Sequence, residues 1–214
     1  YEAAWFIWHG GEPMTLPMSF YKSVMEIEER YFGKNSFRVG NTIQTNGTLL
    51  NRRFMAYCRE KAINVGVSCE GPYNGVLREL DPEKAISLLS TKENKYSVSS
   101  TISRETALRQ RELYEYYRDK GTNVSFSPVI PAGCAKCNGT VPDADEFIKG
   151  SIEAFDAWLH DPDSKVPLIP HYLYVLNYLG DPTPSDCAHT SCLTKWICVH
   201  PDGSIYPCAK ACPK

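Results

Sequence analysis

Apolar and polar positions follow two interleaved rhythms along the first 130 residues. Short runs rich in β-branched and aromatic residues, at 3–8, 37–44, 65–68, 96–102 and 124–129, end near Gly, Pro or Ser and predict strands. Between them lie segments with helical spacing. Residues 17–31 start at Pro17 and place Phe20, Val24, Ile27 and Tyr31 at steps of 4, 3 and 4. Residues 51–61 carry Phe54, Met55 and Cys58 on one side, 81–91 open with Asp81-Pro82-Glu83 as an N-cap signature, and 105–120 stop at Gly121. Strand and helix in alternation predict repeated βαβ units and a parallel sheet, open or closed into a barrel. The segments just after each strand are then where a ligand site belongs.

The pattern changes after Pro131. A loop with Cys134 and Cys137 leads into a helix predicted over 144–159, an aromatic segment over 170–179 and a Pro/Asp-rich connector over 180–186. That connector divides the chain into residues 1–180 and a second unit, 181–214. Within the second unit, Trp196-Ile197-Cys198-Val199 and Ser204-Ile205-Tyr206 flank Pro201-Asp202-Gly203, and Asp-Gly predicts a hairpin turn.

Composition narrows the classes. The 214 residues are 43% hydrophobic and 12% aromatic, enough for a sizeable core. Lys+Arg 23 against Asp+Glu 25 gives a net charge of -2 with no basic stripe, which argues against a nucleic-acid partner. No run approaches the roughly 18 apolar residues of a membrane span, so no membrane partner is expected. The opening run Ala3-Ala4-Trp5-Phe6-Ile7-Trp8 is too short for a signal-peptide core, and a cytoplasmic location is expected. Trp5, Phe6 and Trp8 are expected as core residues.

Nine cysteines remain to be explained, and five of them lie between Cys187 and Cys212. In a chain of this size with no secretory segment, a disulfide framework is a poor default, and thiols crowded into a loop-rich tail point to metal. Cys58, on a helix face, reads as a small core residue. His160, His171, His189 and His200 show no metal spacing with one another.

Three strand ends carry candidate chemistry. Gly10-Gly11-Glu12-Pro13 pairs two glycines, which let a ligand approach the backbone, with a proline that fixes the exit; an ordinary strand-to-helix turn explains it equally. Gln44-Thr45-Asn46-Gly47 taken alone reads as a polar turn capped by Asn46, and Ser68-Cys69-Glu70-Gly71-Pro72 offers a hydroxyl to a ligand carboxylate or to its own loop. Their recurrence in one βαβ series shifts the weight towards a shared site.

In this order and spacing, Trp8-His9-Gly10-Gly11-Glu12-Pro13, Ile43-Gln44-Thr45-Asn46-Gly47-Thr48-Leu49-Leu50 and Val65-Gly66-Val67-Ser68-Cys69-Glu70-Gly71-Pro72 resemble the radical S-adenosylmethionine enzymes, most closely the peptide-modifying branch with a C-terminal SPASM/twitch domain. Cys192, ten residues, Gly203, four residues and Cys208 resemble the opening of the SPASM pattern, with Cys198 inside it as in anaerobic sulfatase-maturating enzymes. The resemblance implies an α/β fold: a partial (β/α)6 TIM-like radical SAM barrel, followed by the start of a SPASM/twitch auxiliary-cluster domain. It implies S-adenosylmethionine across the strand ends. Gly10, Gly11, Glu12 and Pro13 would stand at its amino group, Ser68 and Arg78 at its carboxylate, Gln44 and Asn46 beside it, and Ile130 near the adenine. Cys192, Cys198 and Cys208, with Cys212, would be thiolate ligands of an auxiliary 4Fe–4S cluster. The implied reaction is reductive cleavage of S-adenosylmethionine to a 5′-deoxyadenosyl radical that modifies or crosslinks a ribosomally made precursor peptide or a protein, with ferredoxin or flavodoxin as the one-electron reductant.

The sequence departs from that family in three places. A Cys-x3-Cys-x2-Cys loop for the catalytic 4Fe–4S cluster is absent, and Cys134-x2-Cys137 does not replace it; the chain is expected to be part of a longer protein that carries the loop ahead of Tyr1. Glu70 stands where the family has Asp, and Arg78 comes sooner after Ser68 than the family's arginine. Ala209 follows Cys208 where sulfatase-maturating enzymes place a carboxylate, which weighs against formylglycine formation as the alternative activity. A zinc-stabilised binding module built on the same cysteines is the non-enzymatic alternative.

Overall fold

The computed structural model describes residues 2–34, 37–75, 81–89, 96–131, 133–181 and 196–207. Strand β1 (Ala3–Trp8) is followed by α1 (Met18–Phe32), β2 (Arg38–Thr45), α2 (Arg52–Glu60), β3 (Asn64–Ser68), α3 (Pro82–Leu89), β4 (Tyr96–Ile102), α4 (Gln110–Asp119), β5 (Val124–Pro128), α5 (Ala144–Leu159), β6 (Leu168–Ile169) and α6 (His171–Tyr178). A separate hairpin pairs β7 (Cys198–Val199) with β8 (Ile205–Tyr206) in antiparallel register around the Pro201-Asp202-Gly203 turn. No helix among the described residues is long and apolar enough to cross a membrane.

Strands β1 to β6 form one parallel sheet in sequential order. Because parallel crossovers are right-handed, an order without reversal puts every crossover helix on the same face. The opposite face is left concave, so the alternative of an open doubly wound sheet gives way to a partial barrel.

Burial follows the two-residue period of the strands. Ile43, Val65, Val67, Val98, Ile102, Val124, Phe126 and Leu168 are buried beneath helices that contribute Tyr21, Phe54, Met55, Leu89, Leu113, Tyr114 and Tyr117. Intervening positions form the concave face; β1 places Trp5 and Ile7 there, but from the end of β2 to β5 polar side chains predominate. Gln44 aligns with Gly66 and Ser97, Ser68 with Ser99 and Ser125, and Thr101 with Ser127. Parallel strands covered on both faces are usually apolar throughout; this hydroxyl-lined face is built for polar contacts.

Several expectations are revised. A sixth strand exists where five were expected, because a two-residue strand has no periodicity to read, and Ile130 therefore follows the penultimate strand. Its neighbour, the aromatic segment, is helix α6. The helix expected over 105–120 begins as a 3-10 turn at Ala107–Arg109 before α4. Trp8 packs edge-to-face on Phe20 and Tyr21, whereas Trp5 is 57% exposed and Phe6 36%. Phe6 shares the face of Trp8 but lies on the edge strand, whereas Trp5, out of step with Trp8, lies on the concave face over Gly40.

Candidate functional site

The first turn is set by backbone conformation. Gly10 and Gly11 have φ of +68° and +56°, a region that L side chains enter only with strain, and a Cβ on either would meet nothing within 4 Å. Glycine is required here for the path of the chain, and open space lies beside it. His9 Nδ1 accepts from the Gly10 amide at 2.7 Å, so the imidazole is turned to its own backbone. Pro13 opens a 3-10 turn, is buried, and its carbonyl accepts from Tyr21 Oη at 2.8 Å. Glu12 caps that turn: Oε1 accepts from the Met14 amide at 3.0 Å and Thr45 Oγ1 at 2.5 Å, and Oε2 accepts from the Asn46 amide at 2.8 Å.

At the end of β2, Gln44 Nε2 donates to Ser68 Oγ at 3.1 Å. Gly66 makes this bond possible, because a Cβ there would stand 2.1 Å from Gln44 Oε1. Asn46 Oδ1 accepts from the Thr48 amide at 3.0 Å and Thr48 Oγ1 at 2.7 Å, closing an Asx turn. At the end of β3, Glu70 is 1% exposed and its Oε1 accepts from the Thr101 amide at 3.2 Å. The Cys69 carbonyl accepts from Tyr117 Oη at 2.7 Å, and burial, then the neighbouring Cys69, pushes that phenol well above its ordinary range.

The structure therefore brings Gly10, Gly11, Glu12, Pro13, Gln44, Asn46 and Ser68 together across the carboxyl ends of β1, β2 and β3, joined by side-chain hydrogen bonds. Ile130 lies after β5 and is 44% exposed. Arg78 falls outside the described residues, as do Cys192, Cys208 and Cys212. Cys198 is on β7, half-buried, and Cys137 is exposed. Among the described residues no three His, Cys, Asp or Glu side chains converge as a metal site. Cys58 is a core residue as expected, its thiol pushed up to about 12 by burial.

Sequence reading passed over Thr45 and the serines of β4 and β5. Their signal was present: hydroxyls recur at alternate positions in Ser97-Val98-Ser99 and Ser125-Phe126-Ser127, which puts them on the face opposite the core.

Fold and strand-end geometry define a class: a partial parallel α/β barrel with its site at the strand carboxyl ends. No family model matches the chain. In an alignment of 216 positions that covers 95% of its length, the chain is 25% identical to a serine-type anaerobic sulfatase-maturating enzyme of Klebsiella aerogenes, covering 53% of that protein. In an alignment of 218 positions, again covering 95% of the chain, it is 24% identical to a cysteine-type anaerobic sulfatase-maturating enzyme of Clostridium perfringens, covering 58% of it. Native anSMEcpe with bound AdoMet superposes with a TM-score of 0.79 at 24% identity, over 97% of this chain and 61% of that one. Native anSMEcpe with bound AdoMet and Kp18Cys peptide gives 0.75 at 23%, over 99% and 62%. The fold is that of these AdoMet-bound structures, and the chain spans a little over half the length of the curated relatives it matches.

Proposed function

We propose that this chain is the barrel part of a radical S-adenosylmethionine maturase that modifies a peptide or protein substrate. The observation that carries the reading is the coincidence of a barrel fold shared with an AdoMet-bound enzyme and three hydrogen-bonded turns at adjoining strand ends. The residues present fit such a ligand. Open space beside the main chain at Gly10 and Gly11 suits an ammonium group seeking carbonyl oxygens, and Ser68 with Arg78 suits a carboxylate. Gln44 and Asn46 hold the turn between them, and Ile130 offers an apolar surface to an adenine. Cys192, Cys198, Cys208 and Cys212 are assigned to an auxiliary 4Fe–4S cluster. With one electron from ferredoxin or flavodoxin, delivered through the catalytic cluster expected in the longer protein, bound S-adenosylmethionine would give methionine and a 5′-deoxyadenosyl radical; the chain would supply position and exclusion of water.

Two substrate readings stand side by side. Modification or crosslinking of a ribosomally made peptide is favoured by Ala209, which puts no carboxylate beside Cys208 to take a proton. Sulfatase maturation is favoured equally by the relatives that match 95% of the chain. Anaerobic reconstitution of the full-length protein with iron and sulfide, followed by incubation with reductant, S-adenosylmethionine and a Cys- or Ser-containing sulfatase peptide, decides between them. Formylglycine in the peptide establishes sulfatase maturation. Release of 5′-deoxyadenosine without formylglycine favours the peptide-crosslinking reading. Zinc retained with no iron and no 5′-deoxyadenosine would overturn both in favour of a zinc-stabilised module.

A further inference from the structure

We infer that Glu12 and Glu70 are positioning residues, a pair of carboxylate clasps that extend the sheet past the ends of its shorter strands and so hold the turns that meet the ligand. The inference rests on reading the strand ends as an S-adenosylmethionine site, and it assigns Glu12 to the turn's scaffold in place of the ligand's amino group.

The register supplies the argument. Pairing of β1 with β2 stops at Trp8 and Ile43, yet β2 runs two residues further. The amide of Asn46 lies beyond the last β1 partner, and Glu12 Oε2 takes it at 2.8 Å. Pairing of β3 with β4 stops at Ser68 and Ser99, yet β4 runs on to Ile102. After the Cys69 amide reaches Ser99 O at 3.0 Å, Glu70 Oε1 takes the amide of Thr101 at 3.2 Å. Each carboxylate thus sits in the turn after an odd-numbered strand and satisfies a main-chain donor of the next strand, where no ladder acceptor remains. The Gln44–Ser68 bond lies between the two clasps and ties the end of β2 to the end of β3.

Glu12 already accepts from three donors on its two oxygens, all of them from the two turns. A ligand ammonium would then meet the main-chain carbonyls of the Gly10-Gly11 turn, where open space lies beside the chain. One of the three donors, Thr45 Oγ1, is 1% exposed and itself accepts from the Gly47 amide at 3.1 Å, so Thr45 extends the clasp into the second turn without reaching ligand. Glu70 carries one methylene more than an aspartate, and that length spans the gap to Thr101.

The test compares Glu12→Gln, Glu70→Asp, Thr45→Val and Thr45→Ser. A glutamine at 12 must turn its NH2 towards at least one N–H or O–H donor. Hydrogen exchange is measured residue by residue on ligand-free protein, and S-adenosylmethionine affinity by calorimetry on the whole reconstituted protein. Exchange should accelerate at least about tenfold at Asn46 or Met14 in E12Q, whichever amide meets the NH2, and at Thr101 in E70D, the expected loss for a charge-assisted bond. Affinity should fall about as far in T45V and return in T45S, although Thr45 is buried away from ligand. Unchanged exchange at Thr101 in E70D and at both Asn46 and Met14 in E12Q, or affinity lost in E12Q without faster exchange at Asn46 or Met14, or T45S failing to restore what T45V loses, would overturn the inference. Failure of the underlying reading is separate: unsubstituted protein would not bind S-adenosylmethionine, while the exchange results would stand.

Discussion

At the scale of single residues, what a missing side chain would touch separates two glycines by function. At Gly66 a Cβ would meet the end of the flexible Gln44 side chain, which can move aside. Gly66→Ala is therefore expected to leave the thermal midpoint nearly unchanged while breaking the Gln44–Ser68 bond, lowering S-adenosylmethionine affinity about tenfold in calorimetric titration. The buried acids of the core give a pH signature. Burial raises Cys58 from 9.0 to about 12 and Tyr21 from 10.0 to about 12, and also raises Tyr116 and Tyr117. A folded-state pKa above the unfolded one means that the folded protein keeps protons the unfolded chain releases, so stability is full below pH 9 and falls as pH rises towards 12. Urea midpoints recorded between pH 7 and 11 should stay level and then decline above pH 9. In Cys58→Ala the decline between pH 9 and 10 should be shallower.

At the scale of elements, α5 depends on contact with the turn before α4. Gly150 lies against this turn, and a Cβ there would stand 1.9 Å from the Ala107 carbonyl oxygen, a main-chain atom that cannot swing away. Gln110, fully buried, bridges the same contact by donating to Ala107 O at 2.9 Å and Phe147 O at 2.8 Å. Gly150→Ala is expected to cost about 1–3 kcal/mol of stability in denaturant unfolding, in contrast to Gly66→Ala. The helix begins where local chemistry says it should, with Asp143 Oδ1 accepting from the Asp145 and Glu146 amides.

For the whole molecule, sequential strand order creates a gradient of support. Strands β3 and β4 have a paired neighbour on each side, whereas β6 is held by only two register pairs, Val124 with Leu168 and Ser125 with Ile169. Native-state hydrogen exchange should be slowest in β3 and β4, faster in β6, and fastest in the two-pair hairpin of β7 and β8. Protection in β6 equal to that in β4 would contradict this gradient.

Local pattern alone determined the alternation of strands and helices, the hairpin at Asp202-Gly203 and the three turns at Gly10, Thr45 and Ser68. Each of these depends on side-chain periodicity or on φ preferences carried by a few neighbouring residues. Tertiary structure decided the choice between an open sheet and a barrel, because strand order is a relation between distant segments. It also decided the two-residue strand β6, the exposure of Trp5 on the concave face and the work of Glu12 and Glu70. A carboxylate in a turn looks the same in sequence whether it faces ligand, solvent or a neighbour. Only the register, which ends β1 and β3 short of β2 and β4, shows that each carboxylate serves the adjoining strand's last amides.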